Sequence, residues 1–235
     1  MSKPTFTYLG HATVRVDLPS GAVVLIDPWV MNNPACPEQL KEFDRLDAIL
    51  ITHGHFDHIA DAVALARKHQ PVVVANFETC DWLSKKGVER CEAMNIGGTV
   101  EILGLRVSMT QAVHSCGITE DDGSIIYGGS AGGYVVRTDS DYSFYHAGDT
   151  GLFSDMQLIA ELYRPDLAFL PIGDRFTMDP HQAARACKYL EVAQVVPVHW
   201  GTFPLLTGTP DRLAAELGAV GASSEMVALH PGESC

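Results

Sequence analysis

The stretch "HGHFDH" at residues 53–58 packs His53, His55, Asp57 and His58 directly behind the apolar run "DAILIT". Neutral imidazole and carboxylate are the side chains that bind Zn2+ and similar first-row divalent ions. In extended backbone successive side chains alternate, so residues 53, 55 and 57 project to one side, and His58 opens the helical pattern that follows. Four donors over one turn are more than one tetrahedral ion takes from a single loop, which points to two ions if other segments contribute. They do. His114 follows "SMTQAV", Asp149 follows "YSFYHAG" and His199 follows "QVVPV", each at or just past a strand-like run. The candidate metal ligands are therefore seven: His53, His55, Asp57, His58, His114, Asp149 and His199.

Such a set implies hydrolysis without a serine or cysteine nucleophile, because a bound divalent ion lowers the pKa of water towards about 7 and supplies hydroxide at neutral pH. Two divalent ions, set against Asp57, Asp149 and a bridging hydroxide, leave a net charge of about +1, which favours a substrate with an anionic or strongly polarised oxygen. Zn2+ is the default metal for this ligation, with Mn2+, Ni2+ or Fe also compatible. Asp57 and His199 are the candidate catalytic residues, Asp57 orienting the nucleophile and returning a proton to the leaving group. His11 in "LGHAT", Asp27 ending "VVLID" and His146 are candidates for fixing the imidazole tautomers, though each also suits a purely structural role. Asp174 and Arg175 in "PIGDRF" are candidates for the substrate rim, or for a solvated surface pair; Phe176, Met178, Trp200 and Phe203 are candidate pocket walls or core.

Positioning these residues falls to short elements. "TFTYLG", "ATVRVDL", "AVVLID", "DAILIT" and "PVVVA" read as strands in the first half, and a helix is expected over 58–69 and another in "ETCDWLSKKG". In the second half strands are expected at "TVEIL", "LRVSMTQAV", "GGYVVRT", "YSFYHAG", "DLAFLP", "QVVPVH" and "EMVALH", and helices around 153–162, 179–190 and 210–217. "DDGSIIYGGSAGGY" reads as a loop or hairpin beside the site. Strand-rich stretches alternate with helices in both halves and no linker divides them, so the expectation is one domain over 1–235, two sheets with helices outside.

Composition bounds the partners. The 235 residues carry a formal charge of −13, which repels nucleic-acid phosphates and anionic membranes and argues against a general nucleic-acid binder. No apolar run approaches the roughly 20 residues that span a bilayer, and the start has no export-signal pattern. Six scattered cysteines without a CxxC pair fit reduced thiols, so the expected location is the cytoplasm. A small-molecule substrate is expected; a homo-oligomer is left open.

"HGHFDH", His114, "HAGDTG" and "PVHW" together resemble the metallo-β-lactamase superfamily of αββα sandwich hydrolases. "YLGHATV", "IDPW", "PIGDRFTMDPHQAA" and "VPVHWGTFPLL" narrow the resemblance to the UPF0173/UlaG-like metal-dependent hydrolases, over residues 5 to about 230. The resemblance implies an α+β, four-layer αββα sandwich of two mixed β-sheets with helices on the outer faces. It implies one ion on His53, His55 and His114, another on Asp57, His58 and His199, and Asp149 bridging. Two positions depart from the pattern: Cys116, where a small hydroxyl or Gly is expected, and His181, where Glu is common. The expected function is hydrolysis of a small ester, lactone or phosphodiester. The alternatives are a phosphodiesterase acting on RNA or an N-acyl phospholipid, and a non-catalytic metal-binding module.

Overall fold

The structure is a computed structural model that describes residues 3–235. Its strands are β1 (Thr5–Gly10), β2 (Thr13–Asp17), β3 (Val23–Ile26), β4 (Ala48–Leu50), β5 (Val72–Asn76), β6 (Cys91–Met94), β7 (Thr99–Ile102) and β8 (Leu105–Gln111). They continue as β9 (Gly117–Thr119), β10 (Ile125–Tyr127), β11 (Gly132–Thr138), β12 (Ser143–His146), β13 (Leu167–Pro171), β14 (Gln194–Val198) and β15 (Glu225–Met226). The helices are α1 (Phe56–Ile59), α2 (Ala62–His69), α3 (Phe77–Lys85), α4 (Met156–Tyr163), α5 (Pro180–Leu190) and α6 (Pro210–Val220).

The first sheet runs β1-β2-β3-β4-β5-β6 and the second β15-β14-β13-β12-β11-β8-β7. Each is mixed: β1 to β3 pair antiparallel and β3 to β6 parallel, while β7, β8, β11 and β12 pair antiparallel and β12 to β15 parallel. Strand alternation explains the layering. Val24, Ile26, Ala48 and Leu50 meet Phe144, Phe169, Val196 and Val198 between the sheets. Their neighbours Leu25, Ile49, Ile51 and Val73 face outward onto Ile59, Leu65, Ala66 and Leu83 of α1 to α3. Ala168, Leu170 and Val195 do the same against α4 to α6 on the other side. The result is the αββα sandwich, in which β3, β4 and β13 are buried on both faces and so read as continuous apolar runs.

Local chemistry fixes the helix ends. Asp179 and Thr209 cap α5 and α6, accepting from the N–H groups of Gln182 and Arg212, and each is followed by a proline at the first helical position. The helix expected over 58–69 is broken instead into α1 and α2. Asp61 at the break accepts hydrogen bonds from the N–H groups of Val30 (2.6 Å) and Met31 (3.0 Å), which ties the chain to the loop after β3. His58 therefore lies inside a single separate turn rather than at the start of a long helix. β6 and β9 were not expected as strands, β10 falls in the stretch expected as a loop or hairpin and pairs with β9, and the last strand ends at Met226, well short of His230. Among the described residues no helix is long and apolar enough to cross a membrane.

Candidate metal centre

The seven candidate donors meet at one edge of the sandwich, where the ends of β4, β8, β12 and β14 open. His53, His55 and His114 place ligand atoms within 4.8 Å of one another; so do His53, His58 and Asp149, and so do His11, Asp57, His58 and His199. Asp149 is the hub. Its Oδ2 lies 3.0 Å from His199 Nε2, 3.4 Å from His58 Nε2, 3.6 Å from His114 Nε2 and 4.0 Å from His53 Nε2.

Glycines make this approach possible. A Cβ on Gly54, between His53 and His55, would collide with Ile118 Cγ1. At Gly148, just before Asp149 and with φ of +61°, an added Cβ would sit 2.8 Å from Gly132 O and from Thr52 Cβ.

Asp27 sets the tautomers of the buried imidazoles. It is fully buried, and its Oδ2 accepts from His58 Nδ1 at 2.8 Å and from Thr52 Oγ1 at 2.8 Å. Thr52 Oγ1, its proton committed to Asp27, accepts from His53 Nδ1 at 3.0 Å. His53 and His58 thus spend Nδ1–H on these acceptors and leave Nε2, the atom a metal would take, on the side of the other candidate ligands: His58 Nε2 near Asp149, and His53 Nε2 2.9 Å from His55 Nδ1. His11 Nε2 bonds Asp57 Oδ2 at 3.0 Å and His11 Nδ1 bonds Thr202 Oγ1 at 3.0 Å. With both nitrogens engaged, His11 acts through Asp57.

Electrostatics agree. Burial pushes His53 well below the ordinary histidine range, with the neighbouring His58 adding to it. Burial lowers His55 and His114 as well. Burial first, and the charge of His199 second, hold His11 down at about 4, so the ring is neutral and donates from Nε2 to Asp57. His58 is the exception. Burial opposes its charge, but Asp149 and Asp27 bracket it and raise it well above the usual range. Burial would raise the Asp57 and Asp149 carboxyls, yet His11 and His58 beside the first, and His199 and His58 beside the second, hold both below it.

Metal fit can be tested on unpartnered atoms. Buried His58 Nε2, His199 Nε2 and Asp149 Oδ1 have no hydrogen-bond partner. Buried polar atoms are normally satisfied. Orphaned imidazole nitrogens and a carboxylate oxygen, buried together in one cluster, are a donor set that fits divalent ions.

The remaining candidates fall elsewhere. His146 spends Nε2 on Ala12 O (3.0 Å) and Nδ1 on Gly148 N (3.2 Å), so it joins the two sheets behind the site and touches no candidate ligand. Asp174 and Arg175 are exposed and do not line the cavity; both are left-handed (φ of +67° and +51°), a turn that leaves the next residue, Phe176, on the cavity wall. Met178 is core, and Trp200 packs partly buried beside α5, donating to Pro197 O. Cys116 is a buried thiol whose Sγ donates to Gly128 O and accepts from Gly54 N, which steadies the glycine between two ligands. Burial raises its pKa, as suits an unreactive thiol. His181 pairs with Glu216 at 2.8 Å and links α5 to α6 on the surface.

Sequence reasoning missed the hydroxyls. Thr52 and Thr202 orient His53 and His11, and Ser115 Oγ lies 3.3 Å from His55 Nε2. Adjacency to "HGHFDH" and His114 was the available signal for Thr52 and Ser115; Thr202 offered none, since its partner is 191 positions away.

A cavity of about 630 Å3 opens over the cluster, lined by His55, Asp57, His114, Asp149 and His199 on its floor and by Phe56, Phe176, Phe203 and Leu205 among its walls. A larger depression of about 910 Å3 between α4 and α5 contains none of the clustered donors.

Comparison with known proteins finds similar sequences and a similar fold. A sequence model of the beta-lactamase superfamily domain matches residues 23–200. A UPF0173 metal-dependent hydrolase of Koribacter versatilis is 56% identical over 88% of both chains, and one of Solibacter usitatus 53% identical over 97% of both. The solved structure of Igni18, a metallo hydrolase from Ignicoccus hospitalis, superposes with a TM-score of 0.86 at 34% identity, covering 99% of this chain and 97% of its own.

Proposed function

This chain belongs to the UPF0173 metal-dependent hydrolases of the beta-lactamase superfamily, and from that premise we propose that it is a dinuclear hydrolase of small esters, lactones or phosphodiesters. The observation that carries the dinuclear reading is Asp149 Oδ2, which lies within 4.0 Å of four imidazole nitrogens drawn from three segments of the chain. A single carboxylate so placed serves two ions better than one. His53, His55 and His114 would hold the first, Asp57, His58 and His199 the second, with Asp149 shared. Zn2+ suits the donor set best, and Mn2+, Ni2+ or Fe would also be accepted. When bound, the ions supply Lewis acidity and an acidified water.

The chain supplies the rest. His11 holds Asp57 Oδ2, which leaves Oδ1 to orient the nucleophilic water, accept its proton and return it to the leaving oxygen. His199, 3.9 Å from Asp57 and 3.0 Å from Asp149, would set the second ion beside the cavity that it lines. Asp27, through His58 and Thr52, holds the buried imidazoles in the ligating tautomer.

The test is a panel of lactones, esters and phosphodiesters assayed with metal-loaded protein, chelated protein and a His53→Ala/His55→Ala variant, beside elemental analysis. Two ions per chain and turnover confined to the loaded parent protein are expected. Equal turnover in the variant would overturn the reading. A second reading, hydrolysis of an acylated phospholipid, draws on the apolar segment Phe203–Leu206 in the cavity wall. RNA is less favoured, because no Lys or Arg lines the cavity. Binding to liposomes or to tRNA at physiological salt separates the two.

A further inference from the structure

We infer that the ligand of this site is uncharged beside its reacting group and carries an alkyl or aryl substituent that lies on a wall built from Phe56, Phe176, Phe203 and Leu205. The inference rests on the hydrolase reading for its chemistry, though its test does not need turnover.

Three observations carry it. First, the lining is divided. The floor holds imidazoles and the carboxylates of Asp57 and Asp149, whereas the apolar wall comes from the start of α1, the 174–178 turn and the 203–206 segment. Neither Lys nor Arg lines the cavity to receive an anionic substituent on the wall side. Second, the wall is exposed. Phe56, Phe176 and Leu205 are 58%, 53% and 50% exposed, although they line a cavity of about 630 Å3. That volume lies within the range of small-molecule sites, about 300–1,000 Å3. Exposed apolar side chains gathered around one cavity gain by covering with hydrocarbon. Because the same cavity ends on the donor cluster, whatever covers them also reaches the floor, which selects a small molecule over a broad protein surface. Third, part of the wall is pre-formed. Buried Trp29 stacks on Phe203 (centroids 5.8 Å, planes at 25°) and meets Phe56 edge-on (5.8 Å, 79°). Phe203 also packs edge-on against His11 at 5.7 Å, so the hydrocarbon wall and the Asp57 support share one scaffold. Trp29 is a positioning residue for that wall.

The experiment is calorimetric binding of straight-chain alkyl hydroxamates, from two to about eight carbons, to the zinc-loaded protein. The hydroxamate takes the metal floor and the chain samples the wall. Each added methylene is expected to tighten Kd by about two- to fourfold until the wall is covered, in line with the burial of one CH2 group. A chain ended by a carboxylate is expected to lose that gain. Leu205 and Phe176 are half exposed, so the Leu205→Ala/Phe176→Ala protein is expected to fold and to keep its zinc by elemental analysis, but to lose about half of the chain-length slope. A flat series in the parent protein, or an unchanged slope in the variant, overturns the inference. So does a flat series accompanied by a concentration-dependent dimer that the variant breaks, which would make a second copy the occupant. A preserved slope with no turnover of any ester or lactone would remove the proposed reaction and leave the wall's role standing.

Discussion

The two sides of the donor cluster are built differently. His53 and His58 sit in the interior, and each hands its Nδ1 proton into a hydrogen-bond chain that ends on buried Asp27. His55 and His114 stand at the partly open side, where one hydroxyl, Ser115 Oγ, lies 3.3 Å from His55 Nε2. The buried pair is held from behind by Asp27, whereas His55 Nδ1 meets only other candidate ligands, His53 Nε2 at 2.9 Å and His114 Nε2 at 3.2 Å. The lesson is that a carboxylate behind a ligand makes the site before the metal arrives, whereas a surface hydroxyl only accompanies it.

Breaking the shared element should cost most. Asp149→Asn is expected to lower metal-dependent kcat/KM by on the order of 10³ or more, equivalent to about 4 kcal/mol, and to reduce the bound metal below two per chain. Steady-state kinetics with elemental analysis measure both, and retention of two ions at full rate would sink the hub assignment. Next comes the buried side. Asp27 has a left-handed backbone (φ of +50°) that asparagine tolerates, so Asp27→Asn removes the charge with little backbone cost. Its metal affinity is expected to fall by about 10- to 100-fold, read by competition with a chromophoric chelator. The open side should give less. Ser115→Ala is expected to change affinity by less than about fivefold, the worth of one exposed hydrogen bond. A drop as large as that of Asp27→Asn would erase the distinction between the two sides.

The smallest effect lies behind the buried side. Burial lowers the His146 pKa, so the folded protein keeps this ring neutral while the unfolded chain protonates it near pH 6.5. Between those two values the unfolded state binds more protons, and stability therefore falls as pH falls below about 6.5. His146→Gln should flatten the dependence of the urea midpoint on pH between 7.5 and 5.5, by at most about 1.4 kcal/mol per pH unit. An unchanged slope would show that other buried histidines carry it.

Much of the sandwich was legible because strand periodicity is local. Val24 and Ile26 alternate with Val23 and Leu25 between two cores, and turn or capping residues such as Asp179 and Thr209 mark where elements begin. The broken helix at Asp61 was not legible, since its cause is a side chain reaching back 31 residues to Val30. β6 escaped because four residues, two of them exposed, carry little pattern. The seven candidate donors could be named from spacing and residue type, and the structure brings them together at one edge of the sandwich. Their supports could not, except where, as with Asp27 and His11, the residue is itself titratable.

The sequence by itself determined which residue types can hold divalent ions, the order of strands and helices that carry them, and the family to which the chain belongs. Those properties are encoded in short windows, by side-chain chemistry and by periods of two and 3.6 residues. Tertiary structure alone decided that Thr202 reaches His11 across 191 positions, that His146 spends both nitrogens on backbone, and that Phe56 and Phe203 share one buried Trp29. Each of these is a meeting of groups distant in sequence, and hydrogen bonds and ring contacts act only over a few ångströms, so no local pattern announces them.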